Sequence, residues 1–224
     1  MKKILIINTL IIILLGSSVY SQEPKVIGEG TTKTGQKVLI LDDGTWKNKP
    51  KEIFKIPVGN SYYEGPSDAK VTIIEWMDYQ WPYCAKSTGT VENILKKYSK
   101  DVRVVYKNFP LRSHKQANLA ALYALAAGNQ GMYNEMHKKI MSRYTELKNN
   151  QDLPLELAAE LGLNIDQLKV DIKDPLLQDQ INLEVKELRG TKLRLAVPKF
   201  LVNGEETSIK VIQQKITQIL NNPN

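Results

Sequence analysis

The sequence predicts an α/β fold, a sheet interrupted by a long helical segment, with a small β extension in front. Three observations carry that expectation. Val71 to Trp76 is a continuous β-branched and aromatic run, the pattern of a strand covered on both faces, and it leads into a helix start at Pro82. Ser113 to Leu188 has helical apolar spacing for most of its length. Leu195 to Val202 returns to a strand-like run, with Pro198 at its head and Asn203-Gly204 as its turn.

Taken in order, Met1-Lys2-Lys3, the apolar run Ile4 to Leu15 and then Val19-Tyr20-Ser21 read as a secretory signal peptide over residues 1–21. That apolar run is shorter than the ~20 residues a spanning helix needs, so no stable membrane insertion is expected after cleavage. The mature chain is expected in the periplasm or secreted. Its single cysteine, Cys84, rules out an internal structural disulfide, so stability rests on an ordinary hydrophobic core. The 31 basic against 24 acidic residues give a net charge of +7, or +5 without Lys2 and Lys3. The excess is spread along the chain, with no dense basic run interleaved with aromatics, and no nucleic-acid partner is expected.

Residues 22–51 differ in character from the rest of the chain. The turn signals Lys33-Thr34-Gly35-Gln36 and Asp42-Asp43-Gly44 flank Val38 to Leu41, and Thr45-Trp46 comes next, which predicts two or three short strands. A ribbon of this size is marginal alone and needs something to pack on. Lys47 to Lys51 reads as a linker, and the main domain is expected over 52–224. Ile53 to Pro57 is its expected first strand, and Gly59 to Ser61 with Glu64 to Asp68 its first loop. The helix from Pro82 carries Val91, Ile94, Leu95 and Tyr98 inward, with Gly89 as an expected kink. Asp101 to Tyr106 is the next strand.

Ser113 with Gln116 has capping-box spacing, and Ala117, Ala120, Ala121 and Ala124 form a small-residue stripe behind it. Gly128 and Gly131 separate that helix from a second over Met132 to Tyr144, in which Met136, Ile140 and Met141 face inward. Leu155 to Leu161 is a third. Asn164 with Gln167, and Asp174 followed by Pro175, mark two further starts, the last helix reaching Leu188 before Gly190. Glu205 to Ser208 and Val211 to Leu220 close the fold as a strand and a helix. The only histidines, His114 and His137, have no cysteine or carboxylate cluster in metal-ligand spacing. Both read as surface or capping residues, and neither a metal nor a cofactor is expected.

The junction from Glu75 through Trp81-Pro82-Tyr83-Cys84 resembles the active-site segment of the DsbA-like thioredoxin-fold disulfide oxidoreductases, an acidic residue in the strand and then Cys-Pro-Tyr-Cys. Asn108 to Leu111, Gln130 to His137 and Val197-Pro198 resemble the same family. The resemblance implies a thioredoxin-like fold with an inserted helical subdomain at about 113–188. It also implies that Pro198 is cis, that Val197 presents its backbone to an extended substrate peptide, and that Glu75 serves as proton acceptor beneath the thiol site.

Trp81 stands where the family has its first cysteine. A dithiol site needs a nucleophilic thiolate at the helix N-terminus and a second thiol one turn on. Tryptophan supplies no nucleophile, so no internal disulfide forms and the two-electron cycle is closed. Cys84, on the resolving position, reads either as a small buried apolar residue or as a reactive single thiol. The candidate catalytic residues are therefore Cys84 and Glu75, and the candidate substrate-binding residues Trp81, Pro82, Tyr83, Val197 and Pro198. Three functions are compatible with this site: binding of extended or unfolded polypeptide without redox turnover, a monothiol enzyme forming mixed disulfides with a thiol partner, or a structural envelope domain contacting others through the β extension.

Overall fold

The computed structural model describes residues 23–33 and 37–222; the expected signal peptide and residues 34–36 of the first expected turn lie outside them. The chain divides after Pro50 into two compact units. In the first, β1 (Val26–Thr31), β2 (Lys37–Leu41) and β3 (Trp46–Asn48) form an antiparallel sheet in that order. Gly44 closes the β2–β3 turn with φ +81°, which a side chain would strain. Asp43 fastens the turn by accepting from the Thr45 N–H at 2.9 Å and its hydroxyl at 2.7 Å. Lys47 and Asn48 belong to β3, so the linker is shorter than expected.

The second unit is built on β4 (Tyr63–Glu64), β5 (Val71–Met77), α1 (Pro82–Lys97) and β6 (Val102–Asn108). The helical insertion follows as α2 (Ala117–Asn129), α3 (Tyr133–Ser142), α4 (Leu153–Glu160), α5 (Ile165–Asp171) and α6 (Pro175–Gly190). The chain returns through β7 (Lys199–Val202) and β8 (Glu205–Glu206) to α7 (Ile212–Asn221). The sheet order is β4-β6-β5-β7-β8, with β5 and β6 parallel and every other pair antiparallel.

Strand β5 is central, and all its residues except Thr72 are buried, as its unbroken apolar run requires. Successive side chains leave a strand on opposite faces. Glu75 therefore reaches Ser87 of α1 on one face, while the Trp76 indole N–H donates to the Glu184 carbonyl of α6 at 2.9 Å on the other.

Within the insertion α2 is central and touches α3, α4, α5 and α6. Its alanines at 117, 120, 121, 124, 126 and 127 are all buried, and their small side chains admit neighbours on several sides. Asn164 caps α5 by accepting from the Gln167 N–H at 3.0 Å, and Asp174 caps α6 by accepting from the Leu176 N–H at 2.9 Å.

Four local expectations are not met. Ile53 to Pro57 is no strand: Ile53 makes a lone bridge to Glu205, and the Phe54 N–H donates to the Gly204 carbonyl at 2.8 Å. The short edge strand β4 falls instead in the stretch expected as loop. Helix α1 runs through Gly89, where an added Cβ would meet only open space. Ser113 does not cap α2, which begins at Ala117; the Gln116 N–H instead donates to the side chain of Gln80 at 2.6 Å.

Candidate functional site

The site grows from the end of β5. Trp81 is held extended, at φ −86° and ψ 119°, as the residue before a proline must be, and Pro82 then starts α1. The loop between is organised by Asp78, whose buried carboxylate accepts three hydrogen bonds. These come from the Gln80 N–H at 2.7 Å, the Leu111 N–H at 2.7 Å and the His114 Nδ1 at 2.9 Å. Asp78 thus ties the head of α1 to the segment leading into α2. Its backbone N–H points to Cys84 Sγ at 3.4 Å.

Cys84 is 0% exposed. Burial pushes its thiol well above the ordinary range, the Asp78 N–H acts against that, and the acidic side chains of Glu75 and Asp78 add to the rise. Glu75 is 3% exposed, and burial raises its carboxyl to about 8 against the opposing hydrogen bond from Ser87. Ser87 Oγ lies 2.9 Å from Glu75 Oε1 and 2.7 Å from the Cys84 carbonyl oxygen. A hydroxyl has one proton to give. With Glu75 neutral, its carboxyl donates to Ser87 and Ser87 donates to the Cys84 carbonyl, a relay that ends on backbone.

Above this layer lies a groove of about 820 Å³, lined by Trp81, Tyr83, Val197, Pro198, Phe200 and the loop from Thr207 to Lys210. The Trp81 ring sits 5.3 Å from Tyr83 and 5.6 Å from His114, and Tyr83 is 63% exposed. The Val197–Pro198 peptide is cis. Among the described residues neither the N–H nor the C=O of Val197 bonds to another group. Four of the five expected groove residues thus line one cavity; Pro82 is exposed at the helix start and does not line it. Cys84 and Glu75 lie outside the lining.

Both histidines depart from expectation. His137 is 2% exposed, not on the surface: its Nδ1 lies 3.2 Å from the Tyr79 hydroxyl and its ring centroid 4.5 Å from that of Tyr106. Burial, then the charge of Lys138, lowers it to about 3, so it is neutral at pH 7. His114 precedes α2 and is a half-buried partner of Asp78 rather than a cap. Asp78 escaped notice in the sequence, although a carboxylate inside an apolar strand-to-helix junction is itself a signal. Among the described residues no group of three or more His, Cys, Asp or Glu side chains is placed to hold a metal ion.

A family model described as thioredoxin matches residues 58–222. The chain is similar to a thioredoxin-like oxidoreductase from Silicibacter pomeroyi DSS-3, at 26% identity and a TM-score of 0.65, covering 73% of this chain and 94% of that one. Its fold is also similar to oxidised BdbD from Bacillus subtilis, at 19% identity and a TM-score of 0.67 over 78% of this chain and all of that one. The α-DsbA1 protein of Wolbachia pipientis is a third, at 18% identity and a TM-score of 0.65 over 74% and 94%.

Curated sequence relatives carry the name Na(+)/H(+) antiporter NhaA. One from Herminiimonas arsenicoxydans is 26% identical over 71% of this chain and 25% of its own length. NhaA 3 of Salinispora tropica is 33% identical over 64% and 22%. The chain therefore spans about a quarter of the length of these relatives. Among the described residues no helix is long and apolar enough to cross a membrane.

Proposed function

Because the chain belongs to the thioredoxin family, with the fold of DsbA-like thiol-disulfide oxidoreductases, we propose that it is a periplasmic or secreted member that binds extended or unfolded polypeptide. The location rests on the signal-peptide reading of residues 1–21. Its Trp81-Pro82-Tyr83-Cys84 segment works without dithiol cycling.

The observation that carries this is the layering of the site: Trp81, Tyr83, Val197 and Pro198 line one groove while Cys84 is closed off beneath it. Trp81 and Tyr83 supply rigid amphipathic surface for side chains of a bound segment. The unbonded N–H and C=O of Val197 offer the main-chain pairing an extended peptide uses when it adds to a sheet edge. A thiol must be ionised and reachable to attack a disulfide, and burial opposes both at Cys84. That favours polypeptide binding over a monothiol enzyme. In this reading Glu75 is a former proton acceptor that now hydrogen-bonds Ser87.

The test uses a reduced, carboxymethylated and therefore permanently unfolded polypeptide as probe. Saturable binding is expected, weakened about tenfold or more by Trp81→Ala, as removal of an aromatic anchor does, and unchanged by Cys84→Ala. Alkylation of Cys84 is expected only when the chain unfolds. Binding insensitive to Trp81→Ala, or disulfide turnover abolished by Cys84→Ala, overturns the proposal.

A further inference from the structure

The charged residues lining the groove are unevenly matched. They are Lys86, Lys199, Lys210 and Glu206. Lys199 and Glu206 form an ion pair with each other. The side chains of Lys86 and Lys210 are exposed and, among the described residues, make no ion pair or hydrogen bond. The nearby Glu205 is engaged by both Lys51 and Lys215, so it does not offset them. Two uncompensated cations therefore stand at the groove, one on α1 and one in the loop before α7, with the apolar surface of Trp81, Tyr83, Pro198 and Ile209 for neighbours.

We infer that the groove selects extended polypeptide segments in which acidic side chains accompany apolar ones, the apolar groups resting on Trp81 and Pro198 and the carboxylates meeting Lys86 and Lys210. This rests on the polypeptide-binding reading and adds a substrate class to it. Lysine suits such a role because its aliphatic stem can lie on apolar surface while the ammonium stays in water. Exposed ion pairs are individually weak, so the two together are expected to contribute about five- to tenfold in affinity rather than orders of magnitude. The contribution also falls with added salt.

Titration calorimetry with three ten-residue peptides tests this, all sharing one apolar core and differing only in flanking Glu, Gln or Lys. The Glu peptide is expected to bind about five- to tenfold more tightly than the Gln peptide, with the Lys peptide weakest. The difference is expected to disappear in Lys86→Gln/Lys210→Gln. It is expected to persist in Lys148→Gln/Lys173→Gln, which removes the same charge from exposed positions outside the groove. Equal affinity for the Glu and Gln peptides overturns the acidic preference and leaves polypeptide binding standing. A preference that survives Lys86→Gln/Lys210→Gln assigns it to the overall charge of the protein and likewise overturns the inference. If none of the three binds, both readings fall.

Discussion

Two buried glutamates on opposite faces of the sheet, Glu75 beneath α1 and Glu184 on α6, are treated differently by their surroundings. Glu184 receives the Ser61 hydroxyl at 2.7 Å, the Asn108 N–H at 2.6 Å, the Asn108 side-chain amide at 2.8 Å and the Gln180 amide at 3.2 Å. Burial raises its pKa, and these donors pull against the rise. Beside it the buried Lys107 pairs with Glu187 at 2.8 Å and donates to Ser61 at 3.0 Å. Glu75 has one hydroxyl, shared with a backbone carbonyl. The first carboxylate ties the insertion to the sheet and is supplied with partners for that purpose. The second lies under a thiol whose ionisation burial opposes and is left nearly alone, and its own burial raises its pKa to about 8.

The groove side of Glu75 is expected to respond most strongly to substitution. Trp81→Cys places a second thiol at the head of α1, and disulfide exchange with a peptide substrate should rise from no turnover to catalytic turnover. In that background Glu75→Gln is expected to slow resolution of the mixed disulfide while Glu184→Gln leaves the rate unchanged, measured by quenched single-turnover kinetics. Next in size, Glu184→Ala leaves buried donors on Asn108 and Ser61 without a partner. It should cost about 3 kcal/mol of unfolding free energy in urea titrations.

Stability should depend on pH through Glu75. Its folded pKa, about 8, lies above the ordinary value of 4.5, so the folded state holds the proton more tightly than the unfolded chain. Its contribution to stability is therefore complete below pH 4.5, declines as pH rises, and is lost above about 8. Glu75→Gln is expected to flatten that decline and to stabilise the protein at pH 8 by about 2–4 kcal/mol, read as the difference between urea midpoints at pH 5 and pH 8. The smallest effect belongs to His114→Ala. Asp78 keeps its two backbone donors, so the loss should be about 1 kcal/mol, with a shift in Trp fluorescence reporting the changed contact to Trp81.

Much of this architecture was legible because its signals are local. The apolar run of β5, Pro82 at the start of α1, and the caps at Asn164 and Asp174 depend on residues within a few positions of one another. The start of α2 was not legible, because the side chain that receives the N–H of Gln116, Gln80, is 36 residues away. Ile53 could not be read as loop for the same reason: its bridge is to Glu205, across the whole domain. His137 looked like a surface residue beside Lys138 and Lys139. Tyr79 and Tyr106, from two distant segments, and Tyr133, one turn earlier on α3, surround it instead.

That Cys84 can form no internal disulfide follows from composition alone, while the resemblance to the DsbA-like family is what makes Trp81 read as the replacement of a nucleophile. Packing of distant segments is what buries Cys84, raises the pKa of Glu75, and sets Trp81 and Val197-Pro198 around one groove with Lys86 and Lys210. Those properties are set by desolvation and by charges on distant segments, and the packed chain alone brings such groups within reach of one another.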